Sequence, residues 1–86
     1  FRTEGFEVAL KFHRREQAWP RHAQKVATEI NLVISGIIEV NGERYERGDI
    51  FVVPPMLFTK PVFVTDCQII CIKVPSLPKD KIIVDK

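Results

Sequence analysis

The feature that most constrains the fold of this chain is the alternation of apolar and polar residues in short runs. Residues 6–12, FEVALKF, place Phe6, Val8, Leu10 and Phe12 on one side of an extended strand and polar residues on the other. Apolar spacing typical of helices is almost absent, and strand-like runs recur roughly every eight to twelve residues with turn residues between them. This pattern predicts an all-β fold of antiparallel strands, arranged as a sandwich or a barrel.

Turn-forming residues mark the ends of the predicted strands. Asn41 and Gly42 supply the positive φ angles of a tight hairpin turn, and Pro54 ends a strand because proline cannot donate to the ladder. The apolar side of residues 6–12 is expected to face the core, which leaves His13 on the solvated side. The other predicted strands are EINLVIS, the two arms of IIEVNGERYE, IFVV, PVFVTD and CQIICIKV, and a short apolar tail, IIV, follows the loop PSLPKDK.

Length and composition favour one small domain over residues 1–86. Hydrophobic residues make up 45% of the 86 residues, enough for one modest core. The 13 basic and 11 acidic residues leave a net charge of +2 and form no basic stripe, so we expect no nucleic-acid partner. No run approaches the roughly 20 apolar residues of a membrane span and no signal-peptide pattern is present, so we expect no membrane partner and a cytoplasmic protein. Because the chain begins with Phe1 rather than methionine, a trimmed chain or a piece of a longer protein is also expected.

The two cysteines, Cys67 and Cys71, lie four positions apart in a predicted strand. That spacing puts their side chains about 13 Å apart on one face, too far for a disulfide. We therefore expect reduced thiols in the core, as in a cytosolic protein. A thiolate metal site would be the alternative, but it would need further Cys or His residues nearby.

The segment HAQKVATEINLVISG, residues 22–36, resembles the first sequence motif of the cupins, a superfamily of small jelly-roll barrels. In that motif a glycine precedes His-x-His, and a glutamate and a further glycine follow at set spacings. Here His22 takes the first histidine position, Gln24 the second, Glu29 the glutamate position and Gly36 that of the closing glycine. The leading glycine is replaced by Glu16.

The second cupin motif, Gly-x5-Pro-x-Gly-x2-His-x3-Asn, is matched only in its first half. Gly48 and Pro54 have the required spacing in GDIFVVP. Beyond them Met56 stands at the glycine position, Thr59 at the position of the metal-binding histidine and Phe63 at that of the asparagine. The resemblance covers about half of the chain and implies a cupin-like jelly-roll β-barrel.

In the family pattern, three imidazoles and a carboxylate hold a divalent metal, because residues two apart on a strand point to the same side. The corresponding set here would be His22, Gln24, Glu29 and Thr59, in which an amide and a hydroxyl replace two of the imidazoles. A site with so few strong donors should hold manganese, iron, nickel or zinc only loosely. We therefore expect no tightly bound metal.

A barrel without its metal can keep a pocket for a small ligand. By period two, Asn31 shares the inward face of its strand with Glu29, so polar groups would converge inside an apolar barrel. Trp19 and Tyr45 could add stacking surfaces at the mouth, or could simply cover the end of the barrel. Lys60 could take the place of Thr59 if the strand register shifts after Pro55. The predicted ligand-binding residues are His22, Gln24, Glu29, Asn31, Thr59, Trp19 and Tyr45.

Strands that are apolar on both faces indicate a partner. The outward face of EINLVIS carries Ile30, Leu32 and Ile34, and the strand CQIICIKV adds Ile70 and Ile72. A barrel needs an apolar surface only inside, so the outer face must also be covered. We expect a homodimer through these strands, in keeping with the habit of the family the chain resembles.

Three functions are compatible with the sequence. The first is binding of a small polar molecule, sugar-like or a carboxylate, in a barrel without a tightly held metal. The second is a metal-dependent enzyme, an oxygenase or isomerase, that uses His22 and Glu29, with a metal-free acid–base isomerase as a variant. The third is a structural, dimerising domain. We favour the first, because two of the four ligand positions are replaced while Gly36, Gly48 and Pro54 are retained.

Overall fold

The computed structural model describes residues 1–84, which form nine strands and no helix. Among these residues, therefore, no helix is long and apolar enough to cross a membrane. The strands are β1 (Glu7–His13), β2 (Arg21–Gln24), β3 (Thr28–Ser35), β4 (Ile38–Val40), β5 (Glu43–Tyr45), β6 (Ile50–Val53), β7 (Val62–Phe63), β8 (Cys67–Val74) and β9 (Lys81–Val84).

The strands form three antiparallel sheets. The largest has the order β1-β8-β3-β6, a second joins β2 and β9, and a third has the order β5-β4-β7. This is the all-β jelly-roll class that the sequence predicts, although within residues 1–84 the sheets do not close into a continuous hydrogen-bonded barrel. The nonlocal order, with β8 between β1 and β3, brings distant parts of the chain to one face.

The core lies between the four-stranded and the three-stranded sheets. Each sheet contributes the residues of one face, as period-two alternation requires, and burying them supplies most of the free energy of folding. The core cluster consists of Val33, Phe51, Val53, Cys67 and Ile69 from the larger sheet and Ile38, Val40 and Phe63 from the smaller.

The predicted hairpin turn is confirmed. Val40 pairs with Glu43 across the turn, and Asn41 and Gly42 have φ angles of 49° and 85°. Both angles lie in the left-handed region that asparagine and glycine tolerate best.

The predicted orientation of β1 is wrong. Leu10 and Phe12 are exposed, whereas Lys11 and His13 face the interior. Alternation shows that a strand has two different faces, but it does not say which one is covered. Pairing with β8 sets the orientation here, because Lys11 lies opposite the core residue Ile69 in the register.

Strand β9 contains the short apolar tail IIV, and it pairs with β2. Gln24 lies opposite Lys81 and His22 opposite Ile83. The Asp80 carboxylate, buried just before β9, accepts hydrogen bonds from the backbone amides of Val26 and Ala27 at 3.0–3.3 Å. This anchor holds the loop after β2 against the start of β9.

Candidate functional site

A polar cavity of about 50 Å³ opens between the four-stranded sheet and the β2–β9 pair. Five of the strands that line it, β1, β2, β3, β8 and β9, carry polar groups into it. Its polar lining consists of Lys11, His13, Trp19, His22, Gln24, Glu29, Asn31, Thr59, Lys73 and Lys81, and its apolar wall of Ile38, Val40, Phe51, Val53, Pro61, Phe63, Ile69 and Cys71.

Most of the residues selected from the sequence lie at this cavity. They are Trp19, His22, Gln24, Glu29, Asn31 and Thr59. Tyr45 does not line it and instead stacks on Phe51, with ring centroids 4.4 Å apart. Thr59, rather than Lys60, provides the side chain at the histidine position of the second motif.

The imidazole of His22 is held in one orientation. Its Nδ1 lies 3.0 Å from the backbone oxygen of Pro20. Because a carbonyl oxygen can only accept a hydrogen bond, Nδ1 carries a proton in this arrangement. The backbone of His22 also exchanges hydrogen bonds of 2.9 and 2.8 Å with Thr59, which fixes the hydroxyl side chain beside it.

Gln24 is the most unusual polar side chain of the site. It is only 3% exposed, and its Nε2 has no hydrogen-bond partner within residues 1–84. Its backbone oxygen accepts a hydrogen bond of 2.7 Å from Met56. Met56, which stands at the glycine position of the second motif, has a φ of 65°, so a left-handed turn forms here without glycine. This turn holds the segment leading to Thr59 against β2.

Glu29 and Asn31 lie side by side on the inner face of β3. The amide of Asn31 donates to Oε1 of Glu29 at 3.1 Å. In the register, Glu29 is opposite Lys73 and Asn31 is opposite Cys71. Burial raises the pKa of the Cys71 thiol to about 11, and the negative charge of Glu29 adds to the effect. Cys71 is therefore a neutral thiol, and both cysteines are free and buried.

Three lysines that belong to no sequence motif also face the cavity. Lys11 lies on β1, Lys73 on β8 and Lys81 on β9. None of them is within ion-pair distance of a carboxylate in residues 1–84, where the ion pairs are Arg15–Glu16 and Arg44–Glu39. Burial lowers the pKa of Lys81, and the charges of Lys73 and Lys11 lower it further. The alternation in β1 marks Lys11 as sharing a face with His13, but it does not mark that face as the inner one.

Aromatic rings close one end of the cavity. His13 stacks on Phe63 with centroids 4.2 Å apart and meets Trp19 edge to face at 5.0 Å. Burial lowers the pKa of His13, and its Nδ1 has no hydrogen-bond partner within the described residues. The Lys81 ammonium lies 5.7 Å from the centroid of the Trp19 ring, within the range of a cation–π contact.

A larger surface groove of about 620 Å³ adjoins the cavity. The groove and the cavity share Trp19, Pro61 and Phe63 in their walls. The remainder of the groove is formed largely by residues 16–21, 60–62 and Val84.

The donor set does not fit a tightly held divalent metal. His22 and Glu29 are the only strong donors among the four positions of the family pattern, and within residues 1–84 no group of three or more His, Cys, Asp or Glu side chains is placed to share an ion. The cationic side chains of Lys11, Lys73 and Lys81 line the same cavity, and they would repel a metal cation.

Comparison with solved structures shows that the chain has the cupin fold. A Klebsiella pneumoniae protein with a double-stranded β-helix domain superposes over 100% of this chain and 80% of its own, with a TM-score of 0.85 and 18% identity. KdgF from Halomonas sp. superposes over 90% of this chain and 74% of its own, with a TM-score of 0.78 and 23% identity. An RmlC-like cupin from Shewanella frigidimarina covers 85% of this chain and 68% of its own, with a TM-score of 0.77 and 22% identity.

No protein-family model matches the sequence, and neither does any curated protein. At these identities, the structural likeness establishes the fold, and function has to be argued from the cavity itself.

Proposed function

We propose that this chain binds a small polar ligand in the cavity around His22 and Gln24, without a tightly held metal. The observation that carries the proposal is the concentration of buried polar side chains at one place in an apolar interior. His22, Gln24, Asn31 and Thr59 are each less than one-tenth exposed, and they all line the same cavity.

Burying such groups is unfavourable unless each one finds a partner. An amide transferred from water without a replacement hydrogen bond costs about 1–3 kcal/mol in proteins. Nε2 of Gln24 lacks that replacement within residues 1–84. A ligand that accepts a hydrogen bond from this amide would offset the free-energy cost of burying it.

The size of the cavity limits the ligand. Pockets that enclose drug-sized molecules measure about 300–1,000 Å³, whereas this cavity measures about 50 Å³. It suits a molecule of a few heavy atoms, or the polar head of a larger one whose body lies in the adjoining groove. A whole sugar ring would have to remain largely outside.

The metal-free part of the proposal is supported by the donor set and by the lysines. His13 brings one further imidazole to the cavity, but its ring is stacked on Phe63, and within residues 1–84 it forms no group of three or more metal-binding side chains with His22 and Glu29. The three lysines make the surrounding charge positive. A DMSP lyase from Ruegeria pomeroyi also has this fold, at 15% identity over 93% of this chain and 43% of its own. At this identity the likeness shows the fold alone, so the proposal is limited to binding.

Thermal-shift measurements test this function. The protein, as isolated and after dialysis against EDTA, is heated with small polyols, sugars, amides and carboxylic acids. We expect at least one compound to raise Tm by a few degrees, equally in both preparations. Thr59→Val, which removes a cavity hydroxyl without changing the volume, should reduce the shift. Glu43→Gln, on the exposed hairpin strand β5, should leave it unchanged.

Two results would overturn the proposal. One is a protein whose Tm no compound raises. The other is elemental analysis that finds a stoichiometric metal retained after incubation with manganese, iron, nickel or zinc and desalting.

We also propose a homodimer through the outer face of the four-stranded sheet. One row of residues, Leu10, Ile70, Leu32 and Ile50, runs across all four strands in the register. The next row is Val8, Ile72, Ile30 and Val52. Every member of both rows is apolar, and a continuous apolar face of this kind is rare on monomers. A second copy suits it, because a twofold axis lets the same face cover itself.

A further inference from the structure

We infer that the ligand of this cavity carries a carboxylate, held by the ammonium groups of Lys11 and Lys81 and by the side-chain amide of Gln24. This inference rests on the proposed function and names its ligand class. It depends on the charge around the cavity, on an unpartnered donor and on the apolar part of the cavity lining.

The charge balance favours an anion. Lys11, Lys73 and Lys81 line the cavity, and among residues 1–84 Glu29 is the only carboxylate in its lining. Lys73 lies between Glu29 on β3 and Glu7 on β1 in the register, so its charge is partly offset by both neighbours. Lys11 and Lys81 have no such carboxylate opposite them, since Lys11 pairs with Ile69 and Lys81 with Gln24. Glu29 raises the pKa of Lys81 less than the charges of Lys73 and Lys11 lower it, and neither Lys11 nor Lys81 forms an ion pair within residues 1–84. Their charges are therefore only partly offset, and a ligand of opposite charge would be attracted to them.

Gln24 adds a donor at the same place. Directly opposed residues of an antiparallel pair project to the same side of the sheet, so Gln24 and Lys81 point together into the cavity. Gln24 is only 3% exposed, and its Nε2 has no hydrogen-bond partner within residues 1–84. One neutral and one charged donor side by side match the two oxygens of a carboxylate.

The apolar part of the lining distinguishes a carboxylate from an inorganic anion. Val40, Phe51 and Val53 form part of this apolar wall and offer no hydrogen-bond donor from their side chains. Phosphate has oxygens on every side, so some of them would lie against this wall without a partner. A carboxylate has one polar end and an organic remainder that suits an apolar surface. The cavity of about 50 Å³ also suits a group of this size.

Isothermal titration with matched acids and amides tests the inference. The probes are acetate with acetamide and glycolate with glycolamide, since each pair has nearly the same shape and differs in charge. Inorganic phosphate is a further arm. We expect the acids to bind in the millimolar range, which is typical for molecules of so few atoms, and to bind about tenfold or more tightly than their amides. The affinity of the acids should fall as salt is added.

Charge-removing variants locate the site. Lys11→Met and Lys81→Met should each weaken acid binding about tenfold, as expected for the loss of one nearby charge in a partly screened site. Lys25→Met is the matched control, because Lys25 is exposed and lies outside the cavity lining. Its affinity should equal that of the wild type. If a variant is unfolded by circular dichroism, the comparison of acid with amide on the wild-type protein still decides the question.

The outcomes separate this inference from the proposed function. Equal binding of acids and amides, or acid affinity unaffected by both Lys11→Met and Lys81→Met, would overturn the carboxylate assignment and leave a neutral-ligand pocket. Tighter binding of phosphate than of any acid would also overturn it. Failure of acids, amides and polyols alike to bind would overturn the proposed function as well.

Discussion

At the residue scale, Gln24 shows a conflict between stability and binding. A buried amide without a partner destabilises the free protein, whereas a methionine of similar shape would not. The neighbouring Asn31 differs, because its amide donates to Glu29 at 3.1 Å. The two residues thus allow the functional and the structural contributions of buried amides to be separated.

Gln24→Met is expected to raise the free energy of unfolding by about 1 kcal/mol, because it removes the unsatisfied donor. The same change should weaken ligand binding. Asn31→Leu is the contrasting variant, and it should lower the free energy of unfolding by about 1–2 kcal/mol, because Glu29 loses its hydrogen bond. Urea denaturation measures the free energy of unfolding of both variants. A destabilised Gln24→Met protein would mean that the amide has a structural partner.

Residue positions could be predicted from the sequence where a motif, or the period-two alternation that extends from it to Asn31, fixed them. The cupin-like spacing placed His22, Gln24, Glu29 and Thr59, and the structure brings all four to one cavity. Lys11 was not selected, because alternation leaves open which face of a strand is covered. Lys73 and Lys81 belong to no motif, and they reach the cavity through pairings with β3 and β2.

At the scale of elements, the β2–β9 pair joins segments about sixty residues apart in sequence and carries two groups of the proposed site. Local patterns could predict most strands but not this pairing, because nothing within either segment specifies its distant partner. Asp80, just before β9, favours this pairing because its carboxylate accepts hydrogen bonds from the backbone amides of Val26 and Ala27, just after β2.

Asp80→Ala is expected to lower the free energy of unfolding by about 2–4 kcal/mol, since it leaves the amides of Val26 and Ala27 without their acceptor. Ligand affinity should fall as well, because the contact that holds the strand of Gln24 against the strand of Lys81 is lost. Asp80→Asn keeps one acceptor oxygen and should be less harmful. Chemical denaturation of the two variants provides the comparison, and equal stabilities would show that the carboxylate is not the anchor.

The turn after β3 depends on a glycine for two reasons. Gly36 has a φ of 90°, and a Cβ there would overlap the backbone oxygen of Asp66. Gly42 has a similar φ of 85° but open space around it. Gly36→Ala should therefore lower the free energy of unfolding by more than about 3 kcal/mol. Gly42→Ala should lower it by about 1–2 kcal/mol, from backbone strain alone. Thermal melts of both variants test this difference, which would vanish if Asp66 moved aside freely.

For the molecule as a whole, the proposed homodimer depends on the outer face of the four-stranded sheet. The fold class follows from strand length and turn chemistry, which is why the sequence could predict it. The assembly was predicted from strands that are apolar on both faces, and the structure adds exposed Leu10 and Phe12 of β1 to that surface. Their exposure follows from the orientation of β1, which alternation alone did not settle.

Sedimentation equilibrium is expected to show a dimer for the wild-type protein. Leu10→Lys combined with Ile50→Lys puts charges at exposed positions, 54% and 62% accessible, at the two edges of one apolar row. This variant should be monomeric and remain folded. Val62→Lys, exposed on β7 of a different sheet, is the control and should stay dimeric. A monomeric wild type, or a dimer unaffected by the double change, would rule out this interface.

The most direct test of carboxylate binding in this cavity is to follow the side-chain amide signals by ¹H–¹⁵N NMR during a titration with glycolate. The Gln24 and Asn31 amides should shift in a saturable way, because both residues line the cavity. The Asn41 amide, which donates to Phe58 near the hairpin turn, should remain in place as an internal reference. Glycolamide should produce a much smaller change at the same concentration. If glycolate leaves the Gln24 amide unmoved, or shifts only signals outside the cavity, this cavity is not the binding site.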